Sequence, residues 1–112
     1  MKWLSRSIIP SMVAFAAVVS FLPRTGPKIE LQTRDFAFSK HALKVRAGDS
    51  ISITNVGHST HTFTCPGCGV DSGNVQPGQS ISVKLGRTGS FQFYCIYHGD
   101  QGMIGQVIVL PG

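Results

Sequence analysis

From about Thr25 onward the sequence predicts an all-β domain, an antiparallel sandwich or barrel, and three observations carry that prediction. Short runs alternate apolar and polar residues with period two, the spacing of a strand with one face in a core. Gly, Pro and Asn turns punctuate those runs into roughly six to eight short strands. Beyond the N-terminal segment, no window shows the i, i+3, i+4 apolar spacing of an amphipathic helix.

Ile29–Gln32 alternates, and Phe36-Ala37-Phe38 continues as an apolar run after Arg34-Asp35. Leu43-Lys44-Val45 alternates and is closed by the turn Ala47-Gly48-Asp49. Ser50–Thr54 is a further alternating run, ended by Asn55-Val56-Gly57. His61-Thr62-Phe63-Thr64 is short and β-prone, and a Gly-rich loop follows it up to the turn at Pro77-Gly78. Ser80–Leu85 alternates cleanly, Gly86 to Gly89 turn the chain, Phe91–Cys95 reads as a strand, and Gln106–Leu110 closes the fold. Phe91, Phe93 and Cys95 fall on one strand face, which two large aromatics mark as the core face.

The first 24 residues have a different character. Lys2 and Arg6 precede a mostly apolar run from Ile8 to Leu22, the pattern of a secretory leader. Its cleavage signals are poor: Ala14-Phe15-Ala16 lies inside the run, and Val18-Val19-Ser20 is only tolerable. Residues 1–24 are therefore read as a signal peptide or a retained membrane anchor, and residues 25–112 as one folded domain. Either reading places the domain in the periplasm or otherwise outside the cytoplasm. The formal charge of +5 shrinks accordingly. From Thr25 on, seven basic residues face five acidic ones, a net of about +2, with no clustered basic stripe. Nucleic acid is excluded as a partner on that ground.

The functional signal lies in Gly89–Leu110, where Cys95, His98 and Met103 stand as C-x2-H-x4-M between two apolar runs. Thiolate and thioether are soft donors and imidazole suits copper well, so the set points to copper. A structural zinc site takes four strong donors instead. Met103 is the only methionine after the leader. A second histidine must come from elsewhere, and His41, His58 and His61 are the candidates. His61, at the head of a strand-like run, is favoured over His58 in the turn.

These motifs resemble the cupredoxins of the plastocyanin and pseudoazurin type. The resemblance rests on N-V-G-H-S-T-H-T-F from Asn55, D-S-G-N-V-Q-P-G-Q-S from Asp71 and the stretch from Gly89, and extends upstream over Phe36–Asn55. Ser39 to His41 stand where that family usually has a proline. The resemblance implies an eight-stranded Greek-key sandwich and a type 1 copper site. His61, Cys95 and His98 would be the in-plane ligands, Met103 the weak axial one, and His98 the partly exposed electron port. The dinuclear copper centre built on the same fold needs a second ligand-loop cysteine, where this chain has Gly99.

Cys65 and Cys68 form a C-P-G-C that departs from the family pattern. In an oxidising compartment a neighbouring pair tends to close. A disulfide stiffening the loop beside the copper is the favoured reading, with a free redox or copper-handling dithiol as the alternative. Thioredoxin-like chemistry is disfavoured, because it wants the first cysteine at a helix N-terminus. The sequence thus predicts a monomeric one-electron carrier rather than an enzyme, with redox proteins such as cytochromes or a membrane oxidase as partners. Copper delivery or storage through Cys65 and Cys68, or an accessory role on a membrane oxidase, are the competing functions.

Overall fold

Alternation in the sequence becomes alternation in burial. The computed structural model describes residues 28–112, so the leader expected over residues 1–24 lies outside the described residues. In β1 (Lys28–Arg34), Leu31 and Thr33 point inward, and in β4 (Ser50–Asn55) Ile51, Ile53 and Asn55 do so. In β3 (Ala42–Arg46) the buried positions are Leu43 and Val45, and in β9 (Ile104–Leu110) they are Gly105, Val107 and Val109. The remaining strands are β2 (Ala37–Phe38), β5 (Thr64–Cys65), β6 (Val70–Asp71), β7 (Ser80–Lys84) and β8 (Gly89–Tyr94). Among the described residues the one helical turn is a 3-10 turn at Gly99–Gln101, and no helix is long and apolar enough to cross a membrane.

The strands form two sheets, ordered β2-β1-β4-β7 and β3-β9-β8-β5-β6. The expectation of a purely antiparallel sandwich needs one correction, because β1 pairs with β4 and β3 with β9 in parallel. Side chains alternate with period two in either orientation, so the pattern that reveals a strand does not reveal its direction. Strand direction here follows from chain crossings between the two sheets.

An aromatic trio fills the space between them. Phe63 and Phe93 stack with ring centroids 4.8 Å apart, and Phe38 meets Phe93 edge-on at 4.9 Å. All three are buried. Burying each such ring contributes about 1.5–3 kcal/mol, so this cluster anchors whatever is built above it. Gly105 pairs with Phe93 across β8 and β9. A Cβ at Gly105 would run into the Phe93 ring, so only glycine lets the two strands close over it.

Candidate metal centre

Cys95 comes one residue after β8 and two after Phe93, which keeps its side chain on the buried face. The loop that follows is stitched to itself by backbone bonds. The N–H of Cys95 donates to the Met103 carbonyl (3.1 Å), and those of His98 (3.2 Å) and Gly99 (2.8 Å) donate to the Cys95 carbonyl. Met103 N–H returns to the His98 carbonyl at 3.3 Å. Gly102, at φ +92°, ends the 3-10 turn in the left-handed region that glycine enters without a Cβ clash. Met103 then turns inward, fully buried, before β9 begins.

His61 arrives from the other side. The expected strand over His61–Thr64 is shorter than its sequence suggested, for β5 contains only Thr64–Cys65. His61 is held instead by an isolated bridge: its N–H donates to the Val75 carbonyl (3.1 Å), and its carbonyl accepts in return from Val75 N–H (2.8 Å). Buried Asn55 braces this bridge by donating to the carbonyls of Val75 (2.8 Å) and Ser59 (2.7 Å) while accepting from Gly57 N–H (2.8 Å). Thr62 Oγ1 accepts from Ile96 N–H at 2.9 Å, which ties the residue after His61 to the residue after Cys95. The two halves of the site are thus locked by their own neighbours.

The result is a cluster of His61, Cys95 and His98 whose ligand atoms all lie within 4.8 Å of one another. Cys95 Sγ stands 3.7 Å from His61 Nδ1 and 3.5 Å from His98 Nδ1. Bonds of about 2.3 Å to sulfur and about 2.0 Å to nitrogen, opened to roughly 110–120°, reproduce such separations around one ion. Cys95 is a free thiol, and both it and His61 are fully buried, while His98 is half-buried. His41 and His58 are exposed and stand outside the cluster. One thiolate, two imidazoles and a buried thioether nearby on the same loop suit copper; zinc would want a fourth strong donor, which Met103 is not.

Two further residues reach the site without any sequence signal. Asp35 Oδ1 lies 2.8 Å from His61 Nε2, the ring nitrogen that faces away from Cys95. With Nδ1 turned to the sulfur, Nε2 carries the proton and donates it. Asp35 also accepts from His58 N–H (2.7 Å) and Ser59 N–H (3.2 Å). The His58 bond foremost, with His61 adding to it, holds the carboxyl below the ordinary aspartate value against an opposing desolvation. Phe36 packs its ring 4.5 Å from that of His98 and 6.2 Å from that of His61, centroid to centroid. Locally, Arg34-Asp35-Phe36 reads as an ordinary hairpin turn, and nothing in the sequence brings it to residues more than twenty positions away.

Cys65 and Cys68 are joined as a disulfide, and both residues are buried. Antiparallel pairing of Thr64 with Tyr94 sets Cys65 opposite Phe93, two residues before Cys95, and the loop reaches from there toward Phe91. Gly67 lies over Phe91, where a Cβ would meet the ring at 2.6 Å, and its carbonyl accepts from Arg87 Nη1 at 2.7 Å. Phe91 precedes Cys95 by four strand residues, about 13 Å along β8. Thr64 pairs with Tyr94, so the antiparallel chain moves away from Cys95 as it approaches the cysteine pair.

Comparison with known proteins agrees with this architecture. The family of cupredoxin-like domains matches residues 7–109. Plastocyanin of Vicia faba is 34% identical over 86 residues, covering 65% of this chain and 87% of that protein. Plastocyanin of Prochlorothrix hollandica is 27% identical over 111 residues, covering 88% and 85%. Among solved structures, oxidised plastocyanin from Dryopteris crassirhizoma superposes with a TM-score of 0.61 at 20% identity, over 71% of this chain and 98% of that one. A reduced, Cu(I) form of an amicyanin variant reaches 0.65 at 19% identity, over 77% and 85%. The chain belongs to the cupredoxin family, in its plastocyanin and pseudoazurin branch.

Proposed function

We propose that the protein is a one-electron carrier for a single type 1 copper ion, which His61, Cys95 and His98 would hold as strong ligands and Met103 as a weak fourth. The observation that carries this reading is the buried free thiol of Cys95 set between two imidazole nitrogens at 3.5 and 3.7 Å. Copper supplies a Cu(I)/Cu(II) couple there. The chain supplies a frame that does not rearrange. His61 is pinned by its bridge to Val75, Cys95 by its bond to Met103, and each half by the Thr62–Ile96 contact. Rigid donors keep the cost of changing oxidation state small. His98 is the half-buried ligand, and exposed Phe36, Ile96 and Tyr97 surround it with apolar surface against which a redox protein can dock.

The closed Cys65–Cys68 pair supports the carrier over a copper-delivery protein, since a disulfide offers no thiolate to Cu(I). Residues 1–24 are read as the leader or anchor that places the domain outside the cytoplasm, and residues 25–112 as the carrier itself. The test is a visible spectrum of oxidised, copper-quantified protein. An intense thiolate-to-copper charge-transfer band at one copper per chain is expected. Copper-loaded protein that stays colourless under oxidant overturns the reading, as do two titratable thiols at Cys65 and Cys68 in air-exposed protein.

A further inference from the structure

The two imidazoles of the cluster are not equivalent. His61 is fully buried and its outer nitrogen is bonded to the Asp35 carboxylate at 2.8 Å. His98 is half-buried, and among the described residues no carboxylate bonds to it; its ring meets that of Phe36 instead. The Asp35 contact is also tightly built. A Cβ at Gly57 would run into the Asp35 carboxylate, so Gly57 leaves the room in which that group sits. Backbone N–H groups of His58 and Ser59 fix its two oxygens. Three donors thus converge on one carboxylate, and one of them is a ligand ring.

Resting on the copper reading above, we propose that Asp35 is a positioning residue that biases the site toward oxidised copper. Two effects act in the same direction. A carboxylate accepting from Nε2–H makes the imidazole more basic at Nδ1, and a more basic nitrogen favours Cu(II) over Cu(I). A negative charge one imidazole away from the ion also stabilises the more positive oxidation state, acting through the buried His61 ring, while solvent at the partly exposed carboxylate screens part of the effect. The same bond fixes the ring so that Nδ1 faces the Cys95 sulfur. Asp35 therefore lowers the reduction potential below what the four ligands alone would set.

The experiment compares redox titrations of copper-loaded wild-type and Asp35→Asn proteins, followed by visible absorbance. Asparagine keeps the size and one acceptor oxygen for the backbone N–H groups but removes the charge. Both proteins are expected to be coloured, and the variant's preference for Cu(II) over Cu(I) is expected to fall at least tenfold, a rise of about 59 mV in potential. A coloured variant with lower thermal stability and an unmoved potential makes Asp35 a mere loop brace; it overturns the inference and leaves the copper reading standing. Colourless wild-type protein overturns both. Where the variant fails to fold or load copper, the wild-type Cu(I) form decides by nuclear magnetic resonance with 15N-labelled histidine. A His61 Nε2 proton shifted strongly downfield and slow to exchange supports the proposal, and a rapidly exchanging one overturns it.

Discussion

Strand β8 carries one cysteine-bearing structure beyond its C-terminal end and another alongside it, and the two behave in opposite ways. Beyond its C-terminal end, Cys95 stays a free thiol although it is fully buried. Alongside it, Cys65 opposite Phe93 closes on Cys68, and Gly67 between them lies over Phe91. Geometry separates the two fates. Cys65 and Cys68 are three residues apart on one loop, with Cα atoms at 5.2 Å, so each is the other's nearest partner. Cys95 is enclosed by imidazoles and by its own loop, and Cys65 lies on the neighbouring antiparallel strand, opposite Phe93. The loop after β8 is thus arranged to hold a reactive sulfur in place, and the loop after β5 uses sulfur only as a staple.

Breaking each loop should give different signatures. The largest effect is expected for Cys95→Ser, which removes the thiolate and with it the whole charge-transfer band, while leaving a folded apoprotein by circular dichroism. Gly105→Ala comes next. Its methyl collides with the Phe93 ring beneath the ligand loop, an overpacking that costs about 1–3 kcal/mol, measurable by chemical denaturation of the apoprotein. The double variant Cys65→Ser, Cys68→Ser tests the staple. A loop this short is worth about 2 kcal/mol in the chain-entropy account, so stability should fall while the visible spectrum of the copper form stays unchanged. A spectrum that moves with it would show that the two loops are coupled.

The smallest effects form a matched pair. Arg87→Ala loses the bond to the Gly67 carbonyl at the staple, and Thr62→Val loses the acceptor for Ile96 N–H at the ligand end. Arg87→Ala removes one hydrogen bond and Thr62→Val two, the second being that between the Thr62 and Thr64 hydroxyls; at about 1 kcal/mol each, thermal unfolding should register both. Only Thr62→Val should also alter the absorption maximum, because only it loosens the register between His61 and Cys95.

Much of this was legible in the chain because the relevant chemistry is local. Period-two alternation located the strands, and the hydrophobic side of β8 put Cys95 in the core alongside Phe93. C-x2-H-x4-M is local as well, a loop short enough for its own backbone bonds to bring Cys95, His98 and Met103 together. Less was legible where distant segments meet. His61 could be preferred over His58 and His41, but the bridge that holds it to Val75 involves a residue fourteen positions on. The Cys65–Cys68 closure could be read from spacing, whereas its place opposite Phe93 could not. That place depends on the antiparallel pairing of β5 with β8.

The sequence by itself therefore determined the class of fold and the kind of donors. Both rest on residue identity and on spacings of two to five positions, over which backbone geometry is nearly fixed. Only the tertiary structure decided which strands run parallel, where along β8 the staple sits, and that Asp35 sits behind His61. Asp35 and His61 are 26 residues apart and joined by one hydrogen bond. A turn aspartate looks the same in sequence whether it faces water or a ligand ring, because the packing of two sheets chooses between them.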